Sequence, residues 1–235
     1  MRKILTHTVL LFAASMMLLP AESINQLSTA EKKAGWKLLF NGKDLKNWRI
    51  YGSEKPPGPG WKIEDGILKK LAMIPGGSII TTDEFTDFEL SWEWSITPGG
   101  NNGIKYLVTE KRPSAPGPEY QMLDDAVHPD GKLGTDRQTA ALYDIIPPAA
   151  DKTLKPVGEW NQSRIIVRGN QVEHWLNGKK VVSYTLGSDE LKAAISKSKF
   201  KDQKDFAEKI SGHIMLTDHG DACSFRNLKI RAIEP

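Results

Sequence analysis

The segment Phe88-Glu89-Leu90-Ser91-Trp92-Glu93-Trp94-Ser95-Ile96 alternates apolar and polar side chains without a break. A β-strand turns successive side chains to opposite faces, whereas a helix returns to one face every three to four residues. The alternation therefore reads as a strand, with Leu90, Trp92, Trp94 and Ile96 on one face and Glu89, Ser91, Glu93 and Ser95 on the other. One apolar and one polar face is the pattern of an antiparallel sheet packed on one side only. The two tryptophans could form a platform for a sugar ring. Aromatic residues at strand period are more often buried, and this face is assigned to the core.

The same signature recurs on both sides. Residues 35–48 hold an apolar run, an Asn41-Gly42 turn, and Leu45 and Trp48 placed to pack back on it. Residues 61–68 read as a hairpin with an Asp65-Gly66 turn, and 78–82 as a short strand. Downstream, strands are expected at 104–108, 119–123 and 140–146, the last broken by Pro147-Pro148. Residues 160–184 contain three strands with turns at Gly169-Asn170 and Asn177-Gly178, and 213–217 and 225–233 close the chain. Two stretches differ. Residues 25–35 suit a short helix, and 188–210 is a Lys-rich helical excursion anchored by Leu191, Ile195, Phe200 and Phe206. Its lysines read as a solvated face. Residues 126–138 are polar and long for a plain connection, which points to a working loop. Short strands with turn signals every 8–12 residues predict an all-β, two-sheet antiparallel β-sandwich, with residues 25–235 as one domain.

Composition narrows the function. The 235 residues carry a net charge of +3 without a basic stripe, so no nucleic-acid partner is expected. Arg2 and Lys3 precede a mostly apolar run from Ile4 to Leu19, followed by polar sequence. Residues 1–22 therefore read as a secretory signal peptide rather than a spanning helix, and no membrane anchor is expected after its removal. Cys223 is the sole cysteine, which excludes an intrachain disulfide and a cysteine-based zinc cluster. Export without disulfides fits a bacterial periplasm. Nothing in the sequence fixes an oligomeric state.

Three stretches carry side chains from which a site could be built. In Asn101-Asn102-Gly103-Ile104-Lys105, a Gly/Asn loop offers amides to sugar hydroxyls, and Lys105 leaves the strand opposite Ile104. An ordinary turn before a surface lysine has the same sequence. In Glu119-Tyr120-Gln121-Met122-Leu123-Asp124-Asp125, Glu119 and Gln121 share one face, and Tyr120 and Met122 the core face. A carboxylate beside an amide can orient hydroxyl groups, although a polar outer face is routine in antiparallel sheets. Asp124 and Asp125 suit either a cation or a solvated turn. In Ser211-Gly212-His213-Ile214-Met215-Leu216-Thr217-Asp218-His219-Gly220-Asp221, Ile214 and Leu216 face the core and His213, Met215 and Thr217 the other side. His213 is the leading candidate for a general base, because imidazole exchanges protons near neutral pH. Asp218, His219 and Asp221 could be metal ligands, a catalytic pair or turn formers. No Gly-x-Ser-x-Gly, P-loop, zincin or EF-hand pattern is present. The Glu-x-Asp-x-x-Glu spacing of sandwich glycosidases is also missing, so two-carboxylate retaining hydrolysis has no motif here.

These pieces occur together with Gly35-Trp36-Lys37-Leu38-Leu39-Phe40-Asn41-Gly42, Ala141-Leu142-Tyr143-Asp144, Gly158-Glu159-Trp160-Asn161 and His174-Trp175-Leu176-Asn177-Gly178-Lys179. In this order they resemble the 3-keto-disaccharide hydrolase domain family over about residues 35–233. The resemblance implies a concanavalin A-like jelly roll with a substrate cleft, acting on a small carbohydrate. It implies cleavage of 3-keto-glycosides: the C3 ketone acidifies the C2 proton, a base removes it, and the aglycone leaves C1 by elimination. Water added afterwards gives net hydrolysis. Such a route needs one base, an enolate stabiliser and an acid, not paired carboxylates. On this resemblance His213 or Glu119 is the base, Lys105 stabilises the enolate, and Asp124, His219 or Tyr143 supply acid and orienting groups. Asn101, Asn102, Gln121, Tyr143, Thr217 and Asp218 would contact the sugar. No cofactor is required, but a divalent metal could replace Lys105, held by Glu119, Asp124 and His213. A non-catalytic lectin-like module and an ordinary glucanase are the competing readings, since fold alone does not decide function.

Overall fold

The alternating segment 88–96 is a strand from end to end in the computed structural model, which describes residues 24–235. The segment read as a signal peptide lies outside the described residues. Ser28 and Glu31 form a capping box that starts α1 (Thr29–Lys33). There follow β1 (Lys37–Leu38), β2 (Trp48–Ile50), β3 (Trp61–Glu64), β4 (Ile67–Lys70), β5 (Ile79–Thr81), β6 (Phe88–Ile96), β7 (Asn101–Val108) and β8 (Glu119–Leu123). After a loop come β9 (Asn161–Arg168), β10 (Gln171–Leu176), β11 (Lys179–Thr185), α2 (Asp189–Ile195), β12 (His213–Leu216) and β13 (Cys223–Ala232). The large sheet runs β11-β10-β9-β6-β13-β4-β3, with β1 added on β13, and the small sheet runs β2-β5-β12-β7-β8. Every pairing is antiparallel, as the two-sheet sandwich requires.

The inner faces meet in one core, to which the large sheet gives Leu90, Trp92, Ile165 and Phe225 and the small sheet Ile79, Ile104, Tyr120 and Leu216. Trp92 and Trp94 are 0% and 1% exposed, so this pair is core and not a sugar platform. Polar groups inside the core are tied to one another. Tyr106 Oη lies 2.8 Å from His174 Nε2 and shares a hydrogen bond with Tyr184 Oη, and His174 Nδ1 is 3.0 Å from the Ala140 carbonyl. Trp94 donates to Ser163 Oγ at 2.8 Å, and Tyr120 Oη lies at the same distance from that hydroxyl.

Three segments depart from the sequence reading. β7 begins at Asn101, three residues before the expected start, so the Gly/Asn stretch is strand and not loop. Residues 140–146 form no strand: Ala140 and Asp144 adopt φ of +70° and +61°, and Leu142 bridges Tyr120 and Ile146 in a tight turn. The helix of the 188–210 excursion ends at Ile195, after which turns carry Phe200 and Phe206, stacked 4.3 Å apart. A bulge also interrupts β7 at Leu107, φ +50°, and shifts its register against β12 between His213 and Met215.

Candidate active site

Lys105 pairs with Glu119, Gly103 with Gln121 and Asn101 with Leu123 across β7 and β8. Opposed residues share a face, so Asn101, Gly103, Lys105, Glu119 and Gln121 all belong to the outer face of the small sheet. Gly103 has no side chain, and the Glu119 carboxylate occupies its place. A β-carbon built on Gly103 would lie 2.1 Å from Glu119 Oε1. Glu119 itself is only 5% exposed. Its Oε2 is 3.5 Å from Lys105 Nζ and its Oε1 is 3.5 Å from His219 Nε2. Charge-assisted hydrogen bonds run near 2.7–2.9 Å, so positive charge surrounds this carboxylate without gripping it. Burial alone would raise its pKa. The Lys105 ammonium, the contact with His219 and the charge of Lys199 outweigh burial and bring the pKa to about 2.

His219 arrives on the turn after β12, and Asp218 fixes that turn. The Asp218 carboxylate takes the buried Lys70 ammonium at 2.9 Å and accepts from Gly76 N at 3.1 Å and Gly220 N at 3.0 Å. Burial pushes the Asp218 pKa up, but the Lys70 ammonium and these N–H groups lower it below its ordinary value. Asp218 is therefore an anchor for His219, with its oxygens already engaged, rather than the sugar contact expected of it.

Lys199, from the excursion after α2, supplies a second ammonium at the site, where the sequence predicts only a solvated face. Lys199 N donates to Asp144 Oδ2 at 2.7 Å, and its Nζ sits 4.1 Å from the Tyr143 ring centroid. Burial lowers its ammonium pKa, against the opposing pull of Glu119 and Asp144. Tyr143 in turn donates to Asp130 Oδ2 at 2.6 Å, and Arg137 bridges Asp130 at 2.7 Å and Asp144 at 2.5 Å. The 126–138 loop thus does have work: its Asp130 and Arg137 hold the ring under Lys199. Tyr143, expected to touch sugar through its hydroxyl, spends that hydroxyl on Asp130. The signal that could have found Lys199 is its place directly before Phe200, a buried anchor that draws the backbone inward.

The remaining candidates divide. Asn101 Oδ1 and Gln121 Oε1 are buried and have no hydrogen-bond donor among the described residues, and Glu119 Oε1 has only the long approach of His219 Nε2 at 3.5 Å. Buried acceptors are normally paired, and three of them on one sheet face suit the hydroxyls of a sugar. Asn102 and Thr217 instead clamp β7 to the end of β12: Asn102 Nδ2 donates to the Thr217 carbonyl at 2.9 Å, and Thr217 Oγ1 to the Gly103 carbonyl at 3.1 Å. Asp124 is a turn cap, accepting from Gly99 N at 2.8 Å and Ala126 N at 3.2 Å. His213 lies beyond the bulge, paired with Val108, and its ring faces the Asp83 carbonyl at 3.3 Å and Glu84 at 3.5 Å. The histidine that meets Glu119 is His219. Glu119, Asp124 and His213 consequently do not form a metal site, and no three His, Cys, Asp or Glu among the described residues are arranged to hold an ion.

Comparison with known proteins places the chain in a family and a fold. The family described as the 3-keto-alpha-glucoside-1,2-lyase-like domain matches residues 35–231. A 3-keto-disaccharide hydrolase of Bacteroides thetaiotaomicron is 35% identical, over 92% of this chain and 84% of its own. Two crystal structures from Parabacteroides distasonis, both named as glycosyl hydrolases, are similar. One has 33% identity and a TM-score of 0.81 over 90% of this chain and 100% of its own. The other has 30% identity and a TM-score of 0.65 over 84% and 99%. The chain belongs to the 3-keto-alpha-glucoside-1,2-lyase-like domain family.

Proposed function

We propose that this protein is an exported enzyme that cleaves 3-keto-glycosides by removing the C2 proton and eliminating the C1 aglycone. The observation that carries the proposal is the ionised Glu119 carboxylate seated on Gly103, with Lys105 and His219 each 3.5 Å away. Glu119 orients His219, whose imidazole takes the C2 proton. The electrons of the C–H bond pass into the C2–C3 bond, and the charge that develops on O3 meets the Lys105 ammonium. Collapse of this enolate restores the C3 ketone, forms C1=C2 and breaks the C1–O bond. The departing oxygen takes a proton from Lys199, whose lowered pKa makes it the better acid. Water added across C1=C2 completes a net hydrolysis. Asn101 and Gln121 accept hydrogen bonds from the sugar hydroxyls. The family's name and that of the Bacteroides relative support the substrate class, and the basic-then-apolar N-terminus supports export.

The test is incubation with a 3-keto-glucoside and with its unoxidised parent. Release of the aglycone from the keto form alone, with exchange of the C2 hydrogen for solvent deuterium, is the expected result. Release from both substrates would make the protein an ordinary glucanase, and binding without release would make it a lectin.

A further inference from the structure

The outer face of the large sheet carries a feature that the chemistry at Glu119 does not use. Ser91, on the central strand β6, pairs with Arg164 of β9 on one side and with Lys229 of β13 on the other, and Arg164 pairs onward with Trp175 of β10. A small side chain between two long ones leaves a depression. A cavity of about 250 Å³ opens there, with Ser91, Gln162, Trp36 and Trp175 in its lining. Trp36 stands on the β13 side, its ring under the Arg231 guanidinium at 5.1 Å, and Trp175 stands on the β9 side, under Arg164 at 4.5 Å. Both rings are half-buried and lie on opposite flanks of Ser91.

The charges around the depression are paired. Glu89 takes Arg164 at 2.9 Å and Arg231 Nε at 2.8 Å, and Glu31 of α1 takes Lys229. Within the cavity lining itself Glu31 and Glu89 balance Arg164 and Lys229, so the lining carries no net charge to select an ionic ligand, and Arg231 stands outside it. What remains is two amphipathic aromatic walls and a floor of neutral hydrogen-bonding groups, Ser91 and Gln162. A pyranose has a matching surface, with an apolar C–H face and a rim of hydroxyls. The volume falls just under the usual ligand-pocket range of roughly 300–1,000 Å³, which favours one ring over a buried chain.

We propose that this groove is a second, non-catalytic carbohydrate-binding site that takes one neutral pyranose unit of a glycan between Trp36 and Trp175. It lies across the sandwich from Glu119, so the unit held here is not the one being cleaved. Its value is retention: a protein tethered to a glycan meets sugars released nearby at raised local concentration. The proposal does not depend on the reaction assigned to Glu119.

Affinity electrophoresis of the full chain in native gels containing mixed-linkage β-glucan, starch or xylan tests it, alongside Trp175→Ala, Ser91→Phe and Glu119→Gln. Ser91→Phe fills the groove while leaving both walls in place. The expected result is that at least one polysaccharide retards the native protein. That retardation should fall by about fivefold or more in Trp175→Ala and in Ser91→Phe, as for loss of an aromatic anchor, and persist in Glu119→Gln. Turnover of a soluble 3-keto-glucoside should stay within about twofold in the two groove variants, since neither approaches Glu119. Absence of retardation by all three polysaccharides would overturn the proposal. So would retardation that survives both groove variants or disappears in Glu119→Gln.

Discussion

Lys105 and Tyr106 are sequence neighbours, as are Glu119 and Tyr120, and each pair sends its side chains to opposite faces of the small sheet. On the inner face, Tyr106 is hydrogen-bonded with His174, which reaches the Ala140 carbonyl, and Tyr120 separately with Ser163, all at 2.8–3.0 Å. On the outer face, Lys105 and Glu119 stand 3.5 Å apart, and among the described residues Gln121 and Asn101 each keep an acceptor oxygen without a donor while Glu119 Oε1 has only His219 at 3.5 Å. A satisfied buried network rigidifies a fold, whereas an unsatisfied one is a cost that a ligand can remove. The contrast separates polar residues that hold the sandwich together from those that meet substrate.

Five outcomes break or sharpen this contrast. Glu119→Gln should lower kcat/KM by about 10³-fold or more, as for loss of the carboxylate that orients a catalytic imidazole. Its melting temperature should fall at neutral pH, where the native carboxylate is ionised beside its cations, and converge on the native value near pH 2. A fall that persists unchanged near pH 2 would move Glu119 to the structural side. Lys105→Met should cost about 10²-fold in kcat by removing the charge that meets the enolate. Lys199→Met should cost about 10²-fold on an alkyl 3-keto-glucoside but less than about fivefold on a nitrophenyl one, whose leaving oxygen needs no proton. An equal loss on both substrates would exclude Lys199 as the acid. His174→Ala should instead spare activity, lowering stability by about 3 kcal/mol through a cavity and an unpaired Ala140 carbonyl. Its kcat at low temperature should hold within a few-fold.

The two faces should also separate in acid. Burial lowers the His174 pKa from 6.5 to about 4, so the unfolded chain binds this proton first and stability falls between pH 6.5 and 4. Lys105, His219 and Lys199 hold Glu119 near 2 against an ordinary 4.5, so its contribution is complete above pH 4.5 and is lost as pH falls toward 2. Urea unfolding across this range should show both windows. His174→Gln should flatten the upper one and Glu119→Gln the lower.

Alternation made the fold legible. All nine residues of β6 and all five of β8 appear as strand, with the assigned faces, because a period of two survives tertiary packing. The faces also sufficed to place Lys105, Glu119 and Gln121 together. Legibility failed where backbone geometry breaks the period. The bulge at Leu107 displaces His213 along the sheet and leaves the meeting with Glu119 to His219, one turn later. Asp124, Asp218, Asn102 and Thr217 read as polar candidates but serve the backbone and a buried lysine, and only the fold reveals those partners. Lys199 comes to the site through a chain reversal that residues 188–210 do not announce.

Gly103 has a bearing on engineering this protein. A glycine inside a strand is a conventional target for stabilisation, since almost any other residue restricts the unfolded chain more. Here the vacancy is already taken, by an oxygen of Glu119 that would stand 2.1 Å from the new carbon. Even alanine would evict the carboxylate from between Lys105 and His219. A thermostabilising screen blind to activity would therefore reward neighbours of this strand, and should leave position 103 untouched.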